Sequence, residues 1–275
     1  MTLTRRDVVD LLDRYGLRPS RALGQNFVAD PNTVRRIARL AGVGPDDRVV
    51  EIGAGLGSLT LALAETGASV VAVELDRYLV PVLREVVDPV PVIEADAMSL
   101  DWAELLGGDS WVLVANLPYN VATPLVLDLL DHVPQIARML VMVQREVGER
   151  LAARVGDEAY GAVSVKVAYW AEASVVARVP ASVFVPRPNV ESALVSIVRR
   201  PAPAVDVDRE RLFELVRAGF ATRRKMLRRS LAGLVPDEAT FLCAGVRPEA
   251  RAEELDVEAW GRLAACVTAS KPPPS

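Results

Sequence analysis

One unit constrains the fold more than any other stretch: a strand-forming run, Arg48-Val49-Val50-Glu51-Ile52, that breaks into a turn with glycine at 53, 55 and 57. A helical pattern follows over residues 58–65, and a second strand over residues 69–74 ends in an acid, Glu74. Strand, glycine turn, helix, strand and acid in that order open a doubly wound α/β sheet, which keeps ligands at the carboxyl ends of its strands. Glycine lets the backbone approach a ligand closely, and the acid can accept from both hydroxyls of a ribose. A dinucleotide site wants its third glycine at position 58, where this chain has serine. The spacing Glu-x-Gly-x-Gly-x-Gly suits S-adenosylmethionine, which has no pyrophosphate to seat on a helix start. Ser58 also disfavours a nicotinamide-dependent oxidoreductase.

Two further strand ends carry chemistry. Residues 91–96 read as a third strand ending in Asp96, placed to accept from the adenine amino group of the same nucleoside. The short apolar run Trp111-Val112-Leu113-Val114-Ala115 reads as a buried parallel strand that ends in Asn116-Leu117-Pro118-Tyr119. Asn116 offers a carbonyl oxygen, and the Leu117-Pro118 turn frees a backbone carbonyl, so two N–H groups of one exocyclic amine can be accepted together. Tyr119 can stack on the ring that bears the amine. These residue types suit alkylation of an amino group on a flat ring.

Around this centre the elements are ordinary. Val8, Leu11, Leu12 and Tyr15 mark a helix over 5–15 stopped by Gly16, and residues 20–28 read as a loop. Asp30 and Pro31 start a helix that ends near Gly42. Residues 138–144, 174–179 and 192–198 read as strands, 160–170 fits either a helix or a strand with helix preferred, and 180–188 is too rich in proline to pair in a sheet. Residues 199–203 read as a hinge between a domain over 1–199, with an amino-terminal extension over 1–30, and a smaller helical unit over 200–275. The tail at 271–275 reads as frayed.

The formal net charge is −4, so contact with a nucleic acid must rest on local clusters. The densest is Arg223, Arg224, Lys225, Arg228 and Arg229, read as the continuation of a helix from Arg209, with Met226 and Leu227 turned to a core. A phosphate-contacting surface and a plain solvated face both fit it. The single histidine, His132, sits at a helix end and builds neither a triad nor a metal site, and no metal is expected. Cys243 and Cys266 are unpatterned and read as buried or idle thiols. No apolar run approaches the length of a membrane span, and the amino terminus lacks the apolar core of a signal peptide. A cytoplasmic, soluble protein without a membrane partner is the expectation.

Taken together, Leu-Gly-Gln-Asn-Phe (23–27), Glu-Ile-Gly-x-Gly-Leu-Gly (51–57), Asn-Leu-Pro-Tyr-Asn (116–120), Phe-x-Pro-x-Pro-x-Val-x-Ser-Ala (184–193) and Arg-Arg-Lys-x-Leu-Arg (223–228) resemble one family. It is the ribosomal RNA adenine N6,N6-dimethyltransferases of the kasugamycin-resistance type, with the macrolide-resistance enzymes as cousins. The resemblance implies a mostly parallel, seven-stranded Rossmann-like methyltransferase sheet with an antiparallel edge strand, and a helical carboxyl-terminal domain that contacts RNA. It implies dimethylation of two adjacent adenosines in a hairpin near the 3′ end of 16S rRNA, within an assembling small subunit; a monomer is the expectation, although the sequence itself carries no signal of self-association. Asn26 and Val28 would close over S-adenosylmethionine, Gly53 would pass beneath it, Glu74 would hold the ribose and Asp96 the adenine. Asn116 would lie between cofactor and substrate. Asn116 and the Leu117 carbonyl would orient the target nitrogen, Pro118 would shape the turn, and Tyr119 would stack on the base; Phe184 either joins Tyr119 in that stack or is a core aromatic of its proline-rich loop. Arg223, Arg224, Lys225 and Arg228 would contact RNA. Members commonly carry Leu at Val28, Pro at Ala54, Thr at Met226 and Asn at Arg229, mild changes except for details of RNA contact. Two alternatives remain: a macrolide-resistance-type 23S rRNA methyltransferase, and a noncatalytic RNA-binding assembly factor.

Overall fold

A computed structural model describes residues 2–20 and 23–269; Arg21 and Ala22 of the amino-terminal loop, and the tail at 271–275, lie outside the described residues. Among the described residues nine strands form: β1 (Phe27–Val28), β2 (Arg48–Ile52), β3 (Ser69–Glu74), β4 (Val92–Glu94), β5 (Trp111–Asn116), β6 (Ile136–Gln144), β7 (Ala171–Val179), β8 (Phe184–Val185) and β9 (Ser192–Arg199). Seven build one sheet in the order β4-β3-β2-β5-β6-β9-β7. The first five pair in parallel, and β9 runs antiparallel to β6. The antiparallel strand is therefore not at the edge, because β7 lies beyond it.

Strand order reverses between β2 and β5, so the loops after these neighbours part and leave a crevice at their carboxyl ends. Helices Ser58–Ala64, Val80–Val87 and Ala122–His132 make the connections. The first five residues of β5 are buried, as expected of a parallel strand covered on both faces. The helix Pro31–Ala41 begins as read: the Asp30 side chain accepts from Thr33 N, Pro31 opens the helix, and Gly42 ends it at φ 59°. Val34, Ile37, Ala38 and Ala41 turn inward.

Two stretches read as loops do pair. β1 and β8 form a two-stranded antiparallel ribbon, Phe27 opposite Val185 and Val28 opposite Phe184. Proline at 186 and 188 limits β8 to two residues without preventing it. The supposed hinge begins with an anchored residue: Arg199 donates to the carbonyls of Leu129, Leu130, Val133 and Ile136, satisfying the end of the helix before β6.

The chain divides into two compact units, Met1–Glu149 with Ser174–Arg199, and Arg150–Ala173 with Arg200–Ser275. Residues 150–173 thus belong with the helical unit rather than with the domain drawn over 1–199. Tyr160, Val165 and Tyr169 share its core with Leu212, Phe213, Leu227 and Trp260, and the Tyr160 hydroxyl donates to the Leu255 carbonyl at 2.8 Å. The cysteines are not idle thiols: Cys243 and Cys266 form a disulfide between helices Glu238–Cys243 and Val257–Ala269. These helices pack together, a proximity that 23 residues of chain separation conceals. Among the described residues no helix is long and apolar enough to cross a membrane.

Candidate active site

A cavity of about 220 Å³ opens at the carboxyl ends of β2, β3 and β5, roofed by residues 23–28. Two glycines shape the turn after β2. Gly57 sits at φ 88°, and a Cβ there would lie 2.4 Å from Val87 Cγ1, so only glycine lets the turn tuck against the helix Val80–Val87. Gly55 sits at φ 60°, where a Cβ would come within 3.0 Å of the Phe27 ring, the residue that carries the roof. Gln25 ties that roof down: its Nε2 donates to Asp76 Oδ2 at 2.8 Å and its Oε1 accepts from Ser20 N at 2.7 Å.

Asn26, Val28, Gly53, Glu74, Asp96 and Asn116 all line this cavity. Glu74 is buried; Oε2 accepts from Gly55 N at 2.7 Å and Oε1 from Asp76 N at 2.9 Å. Burial pushes its carboxyl upward in pKa, and the backbone N–H bonds oppose the rise. Each oxygen keeps a further lone pair for a hydroxyl. Asp96 stands exposed on the rim with Oδ1 accepting from Met98 N, and its second oxygen accepts no hydrogen bond among the described residues.

Asn116 Nδ2 donates to the Asn26 backbone carbonyl at 3.0 Å. A carbonyl can only accept, so this bond fixes the amide's orientation and turns Oδ1 outward as an acceptor. Leu117 N donates to Met142 O, while its own carbonyl receives no hydrogen bond among the described residues. The Pro118 carbonyl accepts from Val121 N and Ala122 N and so starts the next helix. Two open acceptors therefore lie on consecutive residues. Tyr119 is half-buried with its hydroxyl 3.0 Å from Ser192 Oγ, and burial raises its pKa, which keeps the phenol neutral.

Phe184 does not join them. Its side chain is 0% exposed in a core with Val28, Val34, Val179 and Leu194, because pairing with Val28 turns the ring inward. Stacking on a base would require it to leave that core. The basic stretch also differs from its reading as one helix. Helix Arg209–Ala221 ends at Thr222, a turn closes from Lys225 N to Thr222 O, and only Leu227–Ser230 is helical again. Leu227 is buried, but Met226 is 40% exposed and extended, bridged to Arg251. Arg223 donates to Glu253 and to the Glu158 carbonyl, and Arg228 lies 3.4 Å from Glu249. Arg224 and Lys225 have no acidic partner among the described residues.

Sequence reasoning missed several lining residues: Gln25, Glu51, Ser58, Leu75 and Met98. The signal for Glu51 was its place at the head of the glycine motif. It is 1% exposed; burial pushes its carboxyl up to about 8, the nearby Thr60 hydroxyl opposes the rise and the Glu74 charge adds to it. Glu51 Oε2 and Ser58 Oγ are buried without a protein partner. Such atoms are costly unless a ligand or water completes them. An ammonium, a ribose diol and an adenine edge, which S-adenosylmethionine presents together, match the Glu51 carboxyl, Glu74 and Asp96, so the donor set fits that cofactor. Among the described residues no three of His, Cys, Asp and Glu gather as metal ligands.

The chain is similar to known proteins over nearly its full length. A family model described as ribosomal RNA adenine dimethylase matches residues 17–268. The ribosomal RNA small subunit methyltransferase A of Kineococcus radiotolerans is 50% identical, over 96% of this chain and 91% of that protein. Its counterpart in Thermobifida fusca is 48% identical over 95% of each. Among solved structures, the 23S rRNA methyltransferase ErmE superposes with a TM-score of 0.70 at 28% identity, over 88% of this chain and all of that one. A dimethyladenosine transferase from Plasmodium falciparum gives 0.73 at 24% identity over 85% and 94%, a likeness of fold. With the cavity, its open acceptors and these matches in hand, the chain belongs to the ribosomal RNA adenine dimethylase family and is an S-adenosylmethionine-dependent methyltransferase.

Proposed function

We propose that the chain dimethylates N6 of two adjacent adenosines in a hairpin near the 3′ end of 16S rRNA, in the cytoplasm during small-subunit assembly, and does so as a monomer. The observation that carries this reading is the pair of open acceptors, Asn116 Oδ1 and the Leu117 carbonyl, beside a cavity suited to the methyl donor. S-adenosylmethionine supplies an electrophilic methyl group on a sulfonium. The adenine N6 lone pair is delocalised into the ring, which makes the nitrogen a poor nucleophile. Accepting both N–H hydrogens at Asn116 and Leu117 favours a pyramidal nitrogen with its lone pair directed at the methyl. Positioning and electrostatics carry the rate. The target base must leave its stack at a cost of a few kcal/mol, and stacking on Tyr119 offsets about 1–3 kcal/mol of it. Arg223, Arg224, Lys225 and Arg228 supply phosphate contacts.

The rival substrate is large-subunit RNA, favoured by the likeness to ErmE; the higher identity to small-subunit enzymes favours 16S rRNA. A noncatalytic assembly factor would have no need of free acceptors at a fixed turn. Transfer of labelled methyl to unmodified small and large subunits, with the product nucleoside identified, separates all three. Dimethyladenosine in small-subunit RNA is expected. Label confined to large-subunit RNA, or no label at all, overturns the proposal.

A further inference from the structure

A second pocket, of about 430 Å³, lies among Pro180, Ser182, Arg187, Pro188, Asn189 and Glu191, and no step described so far uses it. Its size falls within the range of small-ligand sites, about 300–1,000 Å³. The loop that forms it is fixed in several places. Phe184 and Val185 pair with β1, Ala29 N donates to the Val183 carbonyl at 2.8 Å, Arg5 donates to the Phe184 carbonyl at 3.2 Å, and Arg145 N donates to the Glu191 carbonyl at 3.0 Å. Prolines on both sides of Arg187 restrict the backbone further. The pocket therefore exists before anything binds, and little ordering cost attends its filling.

Its position relates it to methyl transfer. Glu191 precedes Ser192, whose hydroxyl is 3.0 Å from the Tyr119 hydroxyl. Ser192 pairs with Gln144 at the end of β6, the same end of the sheet at which Asn116 closes β5. A base stacked on Tyr119 thus has the pocket-forming loop beside it.

Charge specifies the ligand. Glu191 lies 3.9 Å from Arg145, Arg145 lies 3.7 Å from Glu149, and Glu149 lies 4.0 Å from Arg178. Two carboxylates and two guanidinium groups balance one another. Arg187 is exposed and has no acidic partner among the described residues, so it brings an uncompensated positive charge to the pocket that also holds Asn189, and the Arg5 guanidinium, which donates to the Ser182 carbonyl, adds to it. A phosphodiester carries one negative charge and acceptor oxygens that a guanidinium fork fits.

We propose that this pocket takes the sugar-phosphate of a nucleotide adjacent to the target adenosine, with Arg187 on its phosphate and Asn189 beside it. The proposal rests on the reading that Asn116 to Tyr119 receive the target base. Anchoring the neighbour while the target base is held on Tyr119 would fix the strand on one side of the reacting nucleotide. Arg187 then acts as a positioning residue in substrate binding and has no part in the chemical step.

The test uses the full chain, S-adenosylmethionine and unmodified small ribosomal subunits over a salt series. Arg187→Gln should raise the KM for subunits roughly 3–10-fold at low salt and make its salt dependence shallower by about one unit of slope, as the loss of one phosphate contact requires. Cofactor affinity should be unchanged, and Arg187→Lys should restore the slope. An unchanged KM and slope in Arg187→Gln overturns the proposal, as does a loss of cofactor affinity in proportion to the rise in KM, which would mark a folding role. If Asn116→Ala transfers methyl at the wild-type rate, the reading of the transfer site fails instead, and the two failures are distinguishable.

Discussion

The cofactor cavity and the basic turn treat polar groups in opposite ways. In the cavity, Glu51 Oε2 and Ser58 Oγ are left without a protein partner although they line a mainly apolar recess, and the Leu117 carbonyl beside it accepts no hydrogen bond among the described residues. On the basic turn, Arg223 and Arg228 already hold carboxylates, in partly exposed pairs. Leaving a group open inside the protein costs free energy, so such a group points to a ligand. Exposed ion pairs are worth about 0–1 kcal/mol, so they can be exchanged for phosphate contacts at small cost. The first region is built for a single ligand pose, and the second for contacts that form and break with salt.

Four perturbations break or sharpen that contrast, in falling order of effect. Glu74→Ala removes a carboxylate placed for two charge-assisted hydrogen bonds and should weaken S-adenosylmethionine binding by roughly 100-fold, read by calorimetry. Unchanged affinity would assign Glu74 to holding Gly55 and Asp76 only. Tyr119→Ala should lower kcat/KM for subunits roughly 10–100-fold with cofactor affinity retained, while Tyr119→Phe, which keeps the ring and loses only the Ser192 contact, should stay near wild type. Equal losses in the two variants would replace stacking by the hydroxyl as the operative group.

Glu51→Gln probes the buried acid through pH. In the unfolded chain this carboxyl titrates at its ordinary 4.5, and in the fold at about 8. Between those values the folded state holds a proton that the unfolded state has lost, so stability falls as pH rises from 4.5 to 8 and levels above. The Tm of cofactor-free Glu51→Gln should therefore gain on that of the wild type across this window; a constant difference would mean that Glu51 is ionised throughout. Least affected is the basic turn. Arg224→Gln should raise the KM for subunits a few-fold and flatten its salt slope by about one unit. Arg223→Gln should do less, because Glu253 already offsets its charge. The reverse ranking would show that the ion pair opens fully on RNA.

What the sequence revealed follows the same division. Gly53, Gly55, Glu74, Asp96 and Asn116 were legible because each sits at or just beyond the end of a strand, where local spacing alone brings a residue to the crevice. Phe184 was not, because whether an aromatic beside prolines faces a base or a core depends on its pairing with Val28, far away in the chain. The disulfide and the transfer of residues 150–173 to the helical unit were hidden for the same reason. The basic helix failed differently: a helical period carries on paper through Arg223 to Ser230, yet Met226 turns extended to bridge Arg251, and the turn breaks the run.

The central claim is that holding the methyl donor and presenting the nitrogen are separate tasks, with Asn116 assigned to the second. It is tested most directly by single-turnover transfer to unmodified small subunits at saturating S-adenosylmethionine, comparing Asn116→Ala with the wild type. The account predicts a rate lower by roughly 100-fold or more, the scale of losing one preorganised polar group at the reacting atom. A wild-type rate at saturation would contradict it.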